Sequence, residues 1–187
     1  MRAIALALLC GYAALAAAQN SNQLPDARGD KSDWEAEQEK LNWKDVAVRL
    51  PDFPRSENLI EFSVSMQSSF RFYIDSASIS LAPDGVVRYT LVARSPAGVA
   101  NVSYEGIRCA TKSYRVYAIG SDGRWLPGRQ EDWRDIEARS IQRWHNALYF
   151  DYFCPQRQPV KAVAEAVQAL RQGGSSATAI PQFNDTR

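Results

Sequence analysis

The chain has 187 residues, 22 basic and 21 acidic side chains, and a formal net charge of +1. That length suffices for one domain with a sizeable core. Its charge balance gives no electrostatic reason to expect nucleic acid or an anionic membrane as partner, since both select a basic excess.

Met1 and Arg2 give a basic start, Ala3 to Leu15 is apolar or small, and Ala16-Ala17-Ala18 precedes Gln19. This is the pattern of an export signal cut between Ala18 and Gln19. The apolar run is shorter than the ~20 residues a spanning helix needs, so no stable membrane insertion is expected after cleavage. Cys10 goes with the discarded peptide, because Leu9 stands where a lipoprotein signal needs a small residue. Cleavage would leave 169 of the 187 residues, with the basic count falling level with the 21 acidic residues. The expected location is the periplasm.

Export changes what the cysteines mean. Only Cys109 and Cys154 remain, and an even pair in an oxidising compartment predicts one disulfide. Two separated cysteines and a single histidine do not make a zinc site, so no metal and no cofactor are predicted.

Residues 19–31 read as a flexible leader and 32–172 as a single domain. Ser32 to Glu35 has the spacing of a capping box, which predicts a short helix to Leu41 anchored by Trp34 and Leu41. LPDFP (Leu50 to Pro54) predicts an extended connector with Phe53 packed down, since each proline pushes its predecessor out of the helical region. Strands follow. LIEFSVS from Leu59 and FRFYIDS from Phe70 alternate apolar and polar residues, and Ser78 to Leu81 reads as a further short strand. Val86 to Arg94 places Val87, Tyr89, Leu91 and Ala93 on one face and Arg88, Thr90, Val92 and Arg94 on the other. Turns at Ala82–Gly85 and Ser95–Gly98 flank it, and Val99 to Cys109 is the return strand. Tyr114 to Ile119 closes the run.

After Trp125 the pattern turns irregular or helical. Ile141, Trp144, Leu148 and Tyr152 recur at helical spacing, then Val160, Val163, Val167 and Leu170 do so, with Pro159 as first residue and Gly173 as exit. Residues 173–187 read as a disordered tail. Strands first and helices last predict an α+β fold: an antiparallel meander of five or six strands with the C-terminal helices packed on one face. A closed barrel or sandwich is the runner-up, disfavoured because the helical stripes need something to bury them.

Chemistry-bearing residues are few. His145 is the sole histidine, and no G-x-S-x-G elbow, Walker A, G-x-G-x-x-G or H-E-x-x-H motif accompanies it. On the return strand Tyr104, Gly106 and Arg108 face one way, and Glu105, Ile107 and Cys109 the other. Arg88 across from Glu105 predicts a cross-strand salt bridge. The alternative is a recognition surface in which Arg88 and Arg108 present guanidinium forks to a carboxylate or phosphate beside Tyr104. Gly106 in mid-strand points to a bulge or a close approach.

The words DGVVRYTLV (Asp84 to Val92), NVSYEGIRC (Asn101 to Cys109), YAIGSDGRW (Tyr117 to Trp125) and HNALYFDYFCP (His145 to Pro155) resemble a small family of exported beta-proteobacterial proteins named after a cryptic neisserial protein. The resemblance covers roughly Trp43 to Leu170. It implies export and the two cysteines, and it carries over no catalytic residue. The function expected is therefore a non-enzymatic domain of the cell envelope that binds an envelope protein or a small ligand. The rival expectation is a hydrolase-like enzyme using Glu105 or Asp75 as acid or base near Arg88, Arg108 and His145.

Overall fold

The computed structural model describes Trp34 and residues 42–64, 68–128, 132–137 and 143–174. The expected signal peptide and leader, Ser32 and Glu35 of the expected capping box, and the expected tail from residue 175 on lie outside these residues. The chain divides into two units, Met1–Glu39 and Lys40–Arg187. In the first, Trp34 is helical and 70% exposed. Everything below belongs to the second.

Among the described residues seven strands form one antiparallel sheet: β1 (Leu59–Phe62), β2 (Arg71–Leu81), β3 (Val86–Arg94), β4 (Ala100–Arg108), β5 (Ser113–Ser121), β6 (Arg124–Pro127) and β7 (Arg134–Asp135). From β1 to β6 each strand pairs with the next, which is the meander expected. The count exceeds five or six because the stretch after Trp125 is not wholly irregular or helical. Its β6 and β7 pair with different parts of β5. In the other direction, the two strands expected between Phe70 and Leu81 are one, with a register shift between Asp75 and Ser80. Side chains bridge the gap: Ala77 N donates to Asp75 Oδ1 at 3.0 Å, and Thr90 N donates to the Ser78 hydroxyl at 2.7 Å. A serine side chain thus stands in for a missing ladder carbonyl.

The turn after β3 sets the central register. Ser95 N bonds Val99 O at 2.9 Å, and Gly98 takes φ 81°, a conformation glycine adopts without steric cost. Arg94 is thereby set opposite Ala100, Tyr89 opposite Glu105 and Arg88 opposite Gly106. Alternation does the rest: Tyr89 and Glu105 share one face, and Arg88 lies on the other.

Both faces of β3 are buried. The face of Val87, Tyr89 and Leu91 joins Ile107 in a core cluster that includes Leu148, Tyr149, Tyr152, Phe153 and Leu170. Across the opposite face lies the extended connector. Trp43 Nε1 donates to Asp84 O at 2.8 Å and Trp125 Nε1 to Pro51 O at 2.9 Å, while Phe53 packs on Trp125 with ring centres 5.2 Å apart. The extended LPDFP segment and its inward Phe53 are as expected.

The first C-terminal segment is not a plain α-helix. α1 (Arg143–Ala147) passes into a π-helical stretch, Leu148–Phe153, in which Cys154 N bonds Tyr149 O five residues back at 3.1 Å. The wider turn buries Leu148, Tyr149, Tyr152 and Phe153 together. Cys154 follows at once and is bonded to Cys109, with Cα atoms 5.4 Å apart. This is the predicted disulfide. α2 (Val163–Gln172) starts later than expected: Pro159 precedes it and Ala162 is its N-cap. Gly173 ends it with φ 76°, as its position suggested. Among the described residues no helix is long and apolar enough to cross a membrane.

Candidate functional site

Glu105 is the chemical centre of the Tyr89 face of the sheet. Its side chain sits mid-strand on β4, opposite Tyr89 on β3, and is 3% exposed. Oε2 accepts from Tyr89 Oη at 3.1 Å and pairs with His145 Nε2 at 2.8 Å, while Oε1 accepts from the Ser103 hydroxyl at 2.6 Å. Burial pushes the carboxyl up. The opposite charge of His145 and the hydrogen bonds from His145, Ser103 and Tyr89 outweigh it, and hold the group below its ordinary range. Conversely, burial and the adjacent carboxylate push the Tyr89 phenol well up, so it serves as a donor. His145 is itself fixed: its ring stacks on Tyr114 with centroids 3.6 Å apart.

The order of these groups excludes nucleophilic serine chemistry. In a serine triad the imidazole lies between hydroxyl and carboxylate and takes the hydroxyl proton. Here the carboxylate lies in the middle, with Ser103 on one oxygen and His145 on the other. Ser103 donates a hydrogen bond to one carboxylate oxygen, and the imidazole is bonded to the other.

Beside this cluster the sheet opens into a groove of about 840 Å³. Its apolar lining includes Phe70, Phe72, Leu91, Ala93, Ile119 and Trp144, and Ser103 and Glu105 also line it. Trp144 stacks on Phe72 at 5.4 Å, which fixes that aromatic wall. Arg143, exposed at the start of α1, is the cation among the lining residues.

The remaining predicted residues lie elsewhere. Arg88 is opposite Gly106, not Glu105, so the expected Arg88–Glu105 bridge does not form; the two side chains are on different faces. Arg88 instead bonds Asp84, with Nη2 2.5 Å from Oδ2, and Asp45, with Nη2 2.7 Å from Oδ1. Burial works against the Asp84 carboxylate, but Arg88 and the Val46 and Val86 amides hold it below its usual range. Arg108 does not join Arg88 in a fork; its guanidinium lies 4.1 Å over the Trp43 ring. Tyr104 is buried against Tyr117 and Trp125, with centroids 5.9 and 6.2 Å away. Asp75 pairs in register with Thr90, on Arg88's face, and burial raises its carboxyl. The hydrolase set of Glu105, Asp75, Arg88, Arg108 and His145 is therefore split by the sheet, with only Glu105 and His145 brought together. Gly106 is explained by close approach. A Cβ there would lie 2.8 Å from Val86 Cγ1 and 2.9 Å from Tyr117 Cε2.

Sequence reasoning missed Tyr89 and Ser103 as Glu105's partners, and Asp45, Asp84, Arg115 and Tyr117 as Arg88's surroundings. The first pair was recoverable: closing the Ser95–Val99 turn with Arg94 against Ala100 forces Tyr89 opposite Glu105.

The sequence model of the CNP1-like family matches residues 38–171. The chain belongs to the CNP1-like family. It is 30% identical over 110 residues to "Cryptic neisserial protein 1" of Neisseria gonorrhoeae (strain ATCC 700825 / FA 1090), covering 50% of this chain and 54% of that protein. The chain thus spans about half the length of that relative. No solved structure matches. The span matched by the family model, residues 38–171, contains both disulfide cysteines, the Glu105 cluster, the groove and the connector.

Proposed function

We propose that this protein is an exported, non-enzymatic binding domain of the cell envelope, and that the groove beside Glu105 seats an amphiphile with an apolar body and an anionic head. The single observation that carries this reading is the groove itself. A trough of about 840 Å³ lined by Phe72, Leu91, Ala93, Ile119 and Trp144 is within the usual range for small-molecule sites. Charge complementarity selects the head group. The Glu105 carboxylate is already engaged by three hydrogen bonds, so the charge left for a ligand is that of Arg143. A planar guanidinium at the mouth suits a carboxylate or phosphate. In this reading the C-terminal helices pack on the Tyr89 face of the sheet and end the groove at Trp144. The disulfide supports an oxidising compartment, and the N-terminal signal pattern supports export.

The test is a calorimetric titration with dodecanoate, dodecylamine and dodecanol below their aggregation limits. Dodecanoate is expected to bind at one site and the other two at least tenfold more weakly. Preference for the amine, or no binding by any of the three, would sink the reading. Export is checked by fractionating cells that express the full chain, where a cytoplasmic, uncleaved product would count against it.

A further inference from the structure

The opposite face of the sheet holds a second assembly that the groove does not use. There, two arginines and a tyrosine converge on one carboxylate, and the carboxylate comes from the connector. Arg88 Nη2 donates to Asp45 Oδ1 at 2.7 Å, and Arg115 Nη1 donates to Oδ2 at 3.1 Å. The Tyr117 hydroxyl stands 3.4 Å from both oxygens. Asp45 is held as a ligand's carboxylate would be.

The sheet and the turn between β2 and β3 position these donors. Arg88 is 4% exposed and is clamped by Asp84, which receives both its Nη1 and its Nη2. The β4–β5 register shift at Tyr104 and Glu105 gives β5 an extra residue, Tyr117. It lies between the guanidiniums of Arg88 and Arg115, 5.5 and 5.3 Å from its ring centre. Such a bulge re-aims a side chain by bending and twisting its strand locally. Gly106 leaves room for the ring.

The donors also outnumber what Asp45 can satisfy. Arg88 Nε and Arg115 Nε are buried and have no hydrogen-bond partner among the described residues. Buried guanidinium N–H groups are costly to leave unmet, and an oxyanion with more acceptors than one carboxylate would meet them. Charge points the same way. Asp84 balances Arg88 and Asp45 balances Arg115, so removing Asp45 leaves one uncompensated positive charge. The connector itself is the outer layer. Val46 is 43% exposed, and besides Asp45 the connector is tied here by the Trp43 indole and the Val46 amide, both bonded to Asp84, and by the Trp43 ring, which packs on Arg108 and Trp133.

We propose that Arg88, Arg115 and Tyr117 form a carboxylate-binding site which Asp45 fills as a tethered stand-in, and that an external carboxylate enters by displacing the Trp43–Val46 connector. The ligand is a polycarboxylate, either a small polyacid or an acidic chain segment. Tethering gives Asp45 an effective concentration on the order of millimolar, so the external ligand binds the intact protein weakly until the connector lets go.

The experiment uses the full chain as wild type, Asp45→Ala and Asp45→Ala/Arg115→Met. Each is titrated with citrate and with an acidic peptide, against chloride at matched ionic strength. Asp45→Ala is expected to melt lower than wild type and to regain its melting temperature saturably with carboxylate. It should half-saturate at a concentration at least tenfold below that needed by wild type. The double variant is expected to show no recovery. Recovery with citrate alone supports a small polyacid, and recovery with the peptide supports a chain segment. Neither citrate nor the peptide acting on Asp45→Ala more than chloride does, or either acting equally on the double variant, would overturn the proposal. A second readout needs no variant. The Trp43 indole N–H resonance of wild type should move as citrate saturates, because its bond to Asp84 O breaks; a resonance that stays in place contradicts displacement.

Discussion

Replacing Glu105 with glutamine keeps the shape of the side chain and removes its charge. In the wild type the ion accepts three hydrogen bonds while 3% exposed. Bonds to a charged acceptor are worth about 1.5–3 kcal/mol each and neutral ones about 0.5–1.5 kcal/mol. With the amide oxygen toward Tyr89 and His145, two bonds weaken and the Ser103 bond must reverse onto the new N–H, a loss of about 3 kcal/mol. Relief of the buried charge returns part of that, leaving a net loss of about 2 kcal/mol at neutral pH. For a domain of this size the melting temperature should fall by about 4–8 °C. The pH dependence tests the cause. A carboxyl whose folded-state pKa is depressed stabilises fully above its unfolded pKa, and that contribution is lost as pH falls through the folded value. The gap between wild type and Glu105→Gln, measured by urea unfolding, should therefore be full near pH 7 and narrow as pH falls below about 4, the ordinary carboxyl range, toward the lower folded value. A gap that is the same at pH 7 and pH 3.5 would refute the reasoning, as would a glutamine variant more stable than wild type.

The disulfide closes a loop with a sequence separation of 45, which in the chain-entropy model stabilises by about 4 kcal/mol. Reductant or Cys109→Ser should lower the melting temperature markedly, and an unchanged melting curve would show that the bridge contributes little. Gly106→Ala places a methyl 2.8 Å from Val86 Cγ1 and 2.9 Å from Tyr117 Cε2. Overpacking there should cost about 1–3 kcal/mol in urea unfolding and loosen Tyr117, whereas a neutral result would mean the strand yields freely.

How far the sequence could be read depended on how local the determining signal was. Alternation on Val86–Arg94 and the Pro-Gly turns are local, and they gave β3, β4 and the meander order. Ser78 filling the ladder at the β2 bulge is not local. Without it FRFYIDS and SISL read as two strands, because alternation slips between them. The π-helical stretch escaped because Trp144, Leu148 and Tyr152 fit a 3.6-residue period as well as the wider turn that buries Tyr149 and Phe153 beside them. The site was half legible. Glu105 and His145 stood out by residue type, and the structure joins them. Arg88 was misassigned because its partner was sought one strand away. Asp45, the actual partner alongside Asp84, is 43 residues earlier on the connector. No periodicity links an extended, proline-bounded segment to the strand it crosses.

The groove is the centre of the functional account, and filling it is the most direct trial. Ala93 lines it, so Ala93→Trp should occupy space that a ligand's apolar body needs. The measurement is the affinity for dodecanoate by calorimetry, for wild type, Ala93→Trp and Arg143→Met, each first shown to fold by its melting curve. Ala93→Trp is expected to weaken binding at least tenfold. Arg143→Met should keep the apolar contribution and erase the preference for dodecanoate over dodecanol. Folded Ala93→Trp protein that binds dodecanoate as tightly as wild type would place the ligand elsewhere and contradict the account.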